Sequence, residues 1–221
     1  MQVVPTLLNQ SLDEFDLQLK TLSRYFNYFQ IDIADGDFVS NRTIQIENLV
    51  SYFTSHQPPI TNIQFDFHLM AKDVEGEIRK IEQLKKIITV KNILVHFAVI
   101  AANDQQLTSE HGIILNPEDQ LADVREKINL TQIPAIQIMT VTPGFQGGDF
   151  IPTSLNKIEQ LRLTGYRNPI MIDGGINEKT IPVILEQQYK PDILCIGSYL
   201  TKLDGLEDKI KYLQQITATN S

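Results

Sequence analysis

Pro169-Ile170-Met171-Ile172-Asp173-Gly174-Gly175-Ile176-Asn177 is a short apolar strand that ends on a carboxylate and opens onto two glycines. Phe29-Gln30-Ile31-Asp32, followed by Ala34-Asp35-Gly36, repeats the pattern far upstream. A carboxylate at the mouth of a buried strand is costly unless something there needs its charge. Brought together by a barrel, two such carboxylates would face a substrate from opposite sides and move protons on and off one carbon.

Working outward, short apolar runs alternate with amphipathic stretches along the whole chain. Strands are predicted at 2–8, 28–33, 63–69, 92–97, 112–115, 135–141, 169–173 and 192–196. Between them, Ser11-Leu12-Asp13-Glu14 is a capping box ahead of Phe15, Leu19 and Leu22. Asp73 precedes Ile78, Ile81, Leu84 and Ile88 at helical spacing, and Asn116-Pro117 offers an N-cap and first-turn proline ahead of Leu121, Val124 and Ile128. Leu155, Ile158 and Leu161 form another stripe, as do Leu206, Ile210, Leu213 and Ile216. Eight units of about 28 residues predict an α/β fold, a single (β/α)8 TIM barrel over 1–221, with a doubly wound sheet as the other arrangement. Residues 98–111 have little apolar periodicity, so the fourth helix is expected to be short or missing.

The chain of 221 residues is 42% hydrophobic and 21% charged, an ordinary globular composition. Its net charge of −8, without a Lys/Arg block, offers no face for nucleic acid or an anionic membrane. No run approaches the ~18–20 apolar residues of a membrane span, and Met1-Gln2-Val3-Val4-Pro5 lacks the features of a signal peptide. The lone Cys195 sits in an apolar run and reads as a buried, inert thiol. A cytoplasmic protein is expected.

A barrel gathers its strand ends at one face. There the sequence would place Asp32, His68, His96, the loop 142–148, Asp173 and Gly197-Ser198. Asp32, His68 and Asp173 at equivalent strand ends are natural ligands for a divalent metal. Taken alone, a strand-end histidine is usually structural and an aspartate is often a helix cap; it is the joint placement that points to a site. Glycine turns follow the last three strands at Gly144, Gly147, Gly174-Gly175 and Gly197-Ser198. Any one of them merely permits a tight turn, but those after the last two strands together suit a phosphate held by backbone N–H groups.

The strings Asp32-Ile33-Ala34-Asp35-Gly36-Asp37-Phe38-Val39-Ser40-Asn41, His68-Leu69-Met70, Leu115-Asn116-Pro117, Met139-Thr140-Val141-Thr142-Pro143-Gly144-Phe145, Asp173-Gly174-Gly175-Ile176-Asn177 and Gly197-Ser198 resemble, in order and spacing, the motifs of ribulose-phosphate 3-epimerases. The resemblance implies a ribulose-phosphate-binding barrel that interconverts ribulose 5-phosphate and xylulose 5-phosphate. Asp32 and Asp173 would be acid and base on opposite faces of carbon 3, and an enediolate would be stabilised by zinc, iron(II) or manganese on Asp32, His68 and Asp173. It further implies Met70 and Met139 as site walls, Thr6 as a substrate contact, a sugar-phosphate ligand and a homo-oligomer.

Departures from the family pattern cluster at the mouth. Gln30 stands where the family has a fourth metal-ligating histidine, and an amide oxygen is a weaker zinc ligand than imidazole. Ala34 replaces a methionine, Asp37 a histidine and Thr142 an asparagine; Gln146 interrupts the glycine loop, and the acidic residue expected after His96-Phe97 is absent. A hexulose 6-phosphate epimerase and a catalytically degenerate relative with a binding role are therefore the alternatives. Decarboxylases and synthases of related barrels use an Asp-x-Lys-x-x-Asp string that does not occur here.

Overall fold

The computed structural model describes residues 1–55, 62–103, 110–144 and 147–219. Eight parallel strands close into a barrel in chain order. They are β1 (Gln2–Leu7), β2 (Tyr28–Ala34), β3 (Gln64–Met70), β4 (Thr89–His96), β5 (Gly112–Leu115), β6 (Ile136–Met139), β7 (Ile170–Asp173) and β8 (Ile193–Ile196). The helices are α1 (Leu12–Leu22), α2 (Ile46–Ser55), α3 (Val74–Leu84), α4 (Phe97–Asn103), α5 (Leu121–Lys127), α6 (Asn156–Leu163), α7 (Ile181–Leu185), α8 (Ser198–Thr201) and α9 (Leu206–Thr219). The fold is the (β/α)8 barrel expected from the alternating runs. Among the described residues, no helix is long and apolar enough to cross a membrane.

Side-chain alternation along each strand divides the interior into two cores. Outward residues such as Ile31, Ile33, Phe65, Phe67 and Leu69 pack against the helices, while Val4, Leu94, Ile114, Met171 and Cys195 belong to a second cluster inside the barrel. Helix starts follow the local signals: Ser11 Oγ accepts from the Glu14 N–H at 3.3 Å, and an Asp73 carboxylate oxygen accepts from the Gly76 N–H at 2.9 Å. The helical faces bury Phe15, Leu19 and Leu22 in α1 and Ile81 and Leu84 in α3, whereas Ile88 lies beyond the end of α3.

Three local expectations are corrected. Asn116 does not cap α5, which starts at Leu121 after Gln120; its side chain turns to His96 instead. β6 ends at Met139 rather than 141, where the Thr140 hydroxyl leaves the strand pattern to donate to the Asp173 and Gly174 carbonyls. β4 starts at Thr89, earlier than predicted, and ends at His96, because Phe97 already begins α4. Of the fourth helix, Phe97–Asn103 is described, and the expectation for 98–111 otherwise falls largely on 104–109, which lie outside the described residues.

The barrel floor is polar. Asp66 accepts hydrogen bonds from the Tyr28 hydroxyl and, at 2.8 Å, from Asn92 Nδ2, so its burial is compensated. Burial nonetheless raises the Asp66 carboxyl to about 6, and this layer supports the site above it.

Candidate active site

Register places the chemistry. Asp32 on β2 lies opposite His68 on β3, Ala34 opposite Met70, and Met139 on β6 opposite Asp173 on β7. One cavity at this end is lined by Thr6, Asp32, His68, Met70, Met139, Gly144, Gly147, Asp173, Gly174, Gly175, Gly197 and Ser198. Gln30 and His96, also singled out in the sequence, are fully buried and do not line it. Gln146 lies outside the described residues.

Both carboxylates converge on one imidazole nitrogen. His68 Nδ1 is 3.2 Å from Asp32 Oδ1 and 3.6 Å from Asp173 Oδ2. Burial alone would lower the His68 pKa, but the two aspartates outweigh it and raise the imidazolium to about 9. Burial likewise pushes the Asp32 carboxyl above the usual range, with His68 pulling it back. Cys195 is buried, and that burial lifts its thiol far above the ordinary value, matching the inert reading.

Behind His68 lies a chain that sequence reasoning did not connect. His68 Nε2 is 2.9 Å from His96 Nε2, and His96 Nδ1 is 2.9 Å from Asn116 Oδ1. The amide oxygen can only accept, so His96 Nδ1 carries a proton and its neutral Nε2 accepts from His68 Nε2–H. Burial and the neighbouring His68 charge hold His96 well below its ordinary pKa, which agrees with a neutral ring. The Phe38 ring packs on His96 with centroids 4.8 Å apart. His68 is thereby oriented with Nδ1 towards the carboxylates.

Two buried amides complete the polar layer. Gln30 Nε2 donates to Asp173 Oδ2 at 2.7 Å and to Asp32 Oδ1 at 3.1 Å, while its Oε1 has no partner among the described residues. Gln137 Nε2 also donates to Asp173 Oδ2, at 3.1 Å. Gln137 carries no motif signal; only its position two residues before Met139, on the same strand face, hints at the site. Asn41 closes the first motif string without a role read from the sequence: its Nδ2 donates to the Gly144 carbonyl at 2.8 Å, tying the loop after β2 to the loop after β6 across the mouth.

The donor set fits a divalent ion. Asp32, His68 and Asp173 each offer a ligand atom, all within 4.8 Å of one another. Two carboxylate oxygens and an imidazole suit manganese, iron or zinc. Gln30 presents its donor side, and only a rotated amide would offer oxygen. At the other end of the cavity, Gly174 and Gly175 have φ of 114° and 66°, so glycine is required there to bend the backbone against the site.

Comparison with known proteins agrees with this arrangement. Residues 2–201 match the model of the ribulose-phosphate 3 epimerase family. The chain is 29% identical over 194 residues to a ribulose-phosphate 3-epimerase of Methanocaldococcus jannaschii, covering 86% of this chain and 79% of that one. It is 30% identical over 193 residues to the Synechocystis enzyme of the same name, covering 83% and 81%. Among solved structures, a Pyrococcus furiosus tryptophan synthase alpha-subunit superposes with a TM-score of 0.64 at 13% identity, covering 97% of this chain and 98% of that one. A 3-hexulose-6-phosphate synthase gives 0.58 at 13%, covering 97% and 99%. These two share the fold alone, whereas the family match spans motifs and site together: the chain belongs to the ribulose-phosphate 3-epimerase family.

Proposed function

We propose that the protein epimerises carbon 3 of a ketose phosphate, converting ribulose 5-phosphate to xylulose 5-phosphate, by proton transfer through Asp32 and Asp173. The observation that carries this reading is the convergence of both carboxylates on His68 Nδ1 from β2 and β7, at 3.2 and 3.6 Å, within one cavity. Family membership and the similarly named relatives support it.

In this reading one aspartate removes the carbon-3 proton and the other returns a proton to the opposite face. Burial raises the Asp32 carboxyl, so it holds a proton more readily than an exposed aspartate, as the acid on one face requires. Asp32, His68 and Asp173 would hold a divalent ion, which when bound supplies Lewis-acid stabilisation for negative charge on the neighbouring substrate oxygens. His96 and Asn116 keep His68 aimed at the pair.

Thr6 Oγ1 is buried on the cavity wall without a hydrogen-bond partner among the described residues, so a substrate hydroxyl would satisfy it. Met70 and Met139 make a poorly hydrating wall that limits quenching of the intermediate by water. The turns at Gly174-Gly175 and Gly197-Ser198, with Gly144 and Gly147 lining the same cavity, would take the phosphate.

The test is proton exchange at carbon 3. Protein loaded with manganese, iron(II) or zinc is incubated with ribulose 5-phosphate in deuterated solvent, and deuterium at carbon 3 is followed together with xylulose 5-phosphate. Both should appear. No exchange with any pentulose or hexulose phosphate, under any of these ions, would overturn the enzymatic reading.

A further inference from the structure

We propose that Gln30 and Gln137 form an amide clamp on the Asp32–Asp173 carboxylate pair. The clamp holds the pair assembled in the metal-free protein and sets metal affinity by competing with the ion for the same oxygens. This inference rests on the reading of Asp32, His68 and Asp173 as metal ligands.

Geometry points to the clamp from both sides of the barrel. Gln30 reaches from β2 and Gln137 from β6, and both side chains are fully buried. One Gln30 amide group serves both carboxylates, at 3.1 Å to Asp32 Oδ1 and 2.7 Å to Asp173 Oδ2. Gln137 adds a second donor to that Asp173 oxygen at 3.1 Å. Both Nε2 atoms also lie 3.4 Å from His68 Nδ1. Each amide therefore stands against ligand atoms, presenting N–H where an ion would present positive charge. Gln30 bridges the two carboxylates and Gln137 adds a donor to Asp173 alone, and both are neutral groups that bring no further net charge into the layer.

The orphaned Oε1 of Gln30 gives the clamp a second state. Rotation of the terminal amide would bring that oxygen towards an ion and withdraw the Nε2 bonds to the aspartates. No bond to Oε1 would be lost, because it has no partner among the described residues. Amide oxygen is a hard ligand, so the rotated state favours manganese over zinc when compared with imidazole at the same position. Gln137 Oε1 faces Cys195 Sγ at 3.9 Å, so its amide has its own reason to keep Nε2 on Asp173.

Two arms test this, one without metal. Metal-free Gln137→Leu should melt several degrees below wild type, and the deficit should shrink to within error in an Asp173→Asn background, because the carboxylate it serves is gone. If Gln137 only fills space, leucine would be neutral or stabilising in both backgrounds, and the clamp is overturned. In the second arm, zinc and manganese affinities are measured by chelator competition. Gln30→His should tighten zinc about tenfold or more and manganese less, and Gln137→Leu should tighten both ions by removing a competitor. Unchanged affinities in both variants overturn the competition. If no protein, Gln30→His included, binds either ion, the metal reading fails, and the melting arm alone decides the clamp.

Discussion

His68 Nε2 and His96 Nε2 lie 2.9 Å apart, so two imidazoles on adjacent strands share a single proton position between them. Because Asn116 Oδ1 accepts from His96 Nδ1, the polarity of that contact is set from outside the site. A histidine that ligates a metal is generally oriented in this way through its other nitrogen. Replacing His96 with Phe, or Asn116 with Leu, should lower metal affinity about 10–100-fold while leaving the fold intact. Asn116→Asp keeps an acceptor and should recover part of the loss. Affinity by chelator competition and folding by circular dichroism check this; equal losses in Asn116→Leu and Asn116→Asp would show that the acceptor is immaterial.

The charge on His68 has a consequence for pH. Its imidazolium is raised to about 9 from an ordinary value of about 6.5, so in metal-free protein the fold favours the protonated ring. Its stabilising contribution is therefore complete below about pH 6.5 and is lost as pH rises through about 9. The melting-temperature advantage of chelator-treated wild type over His68→Gln should shrink across that window. Metal affinity should rise over the same range, since an ion must displace the proton. A wild-type advantage that is constant or grows with pH would contradict the Asp32–His68–Asp173 charge arrangement.

Glycine is demanded unequally around the cavity. At Gly147, with φ of 84°, an added Cβ meets nothing among the described residues within 4 Å, so Gly147→Ala should cost only the backbone strain of about 1–2 kcal/mol. At Gly174, with φ of 114°, the same atom would lie 2.4 Å from Val141 Cγ2. Strain and overpacking then add, and Gly174→Ala should cost roughly 2–5 kcal/mol. Urea denaturation should rank the two variants in that order; equal costs would mean that the β6 and β7 turns adjust together.

What could be read from the chain, and what could not, follows from how local each signal is. Asp32, His68 and Asp173 are legible because each ends an apolar run, and a parallel barrel converts strand ends into a common face. The capping signals of Ser11 and Asp73 are legible because donor and acceptor lie within one turn. Asn116 reads wrongly for the same reason in reverse. Asn-Pro is a sound local capping pattern, but its partner His96 lies 20 residues away on another strand, and a buried imidazole wins over an exposed cap. Gln137 offers even less, because a buried polar residue inside Ile-Gln-Ile-Met declares itself only when β7 is placed beside it. Gln30 is visible as a substitution, but the side of its amide that faces the carboxylates is a property of packing.

The division of labour between Asp32 and Asp173 yields a further prediction. If each serves one face of carbon 3, removing one carboxylate strongly slows epimerisation but leaves the other able to take a proton from the epimer that presents it and to return a solvent proton to the same face. Asp32→Asn and Asp173→Asn should therefore each lose about 10²–10⁴ in epimerisation rate. Residual deuterium exchange should be confined to ribulose 5-phosphate in one variant and to xylulose 5-phosphate in the other. Because both aspartates are proposed metal ligands, the assays use saturating manganese, and bound metal is quantified in the same samples. Exchange of the same epimer by both variants, with metal bound, would mean that a single group serves both faces and that the second aspartate acts only as a ligand.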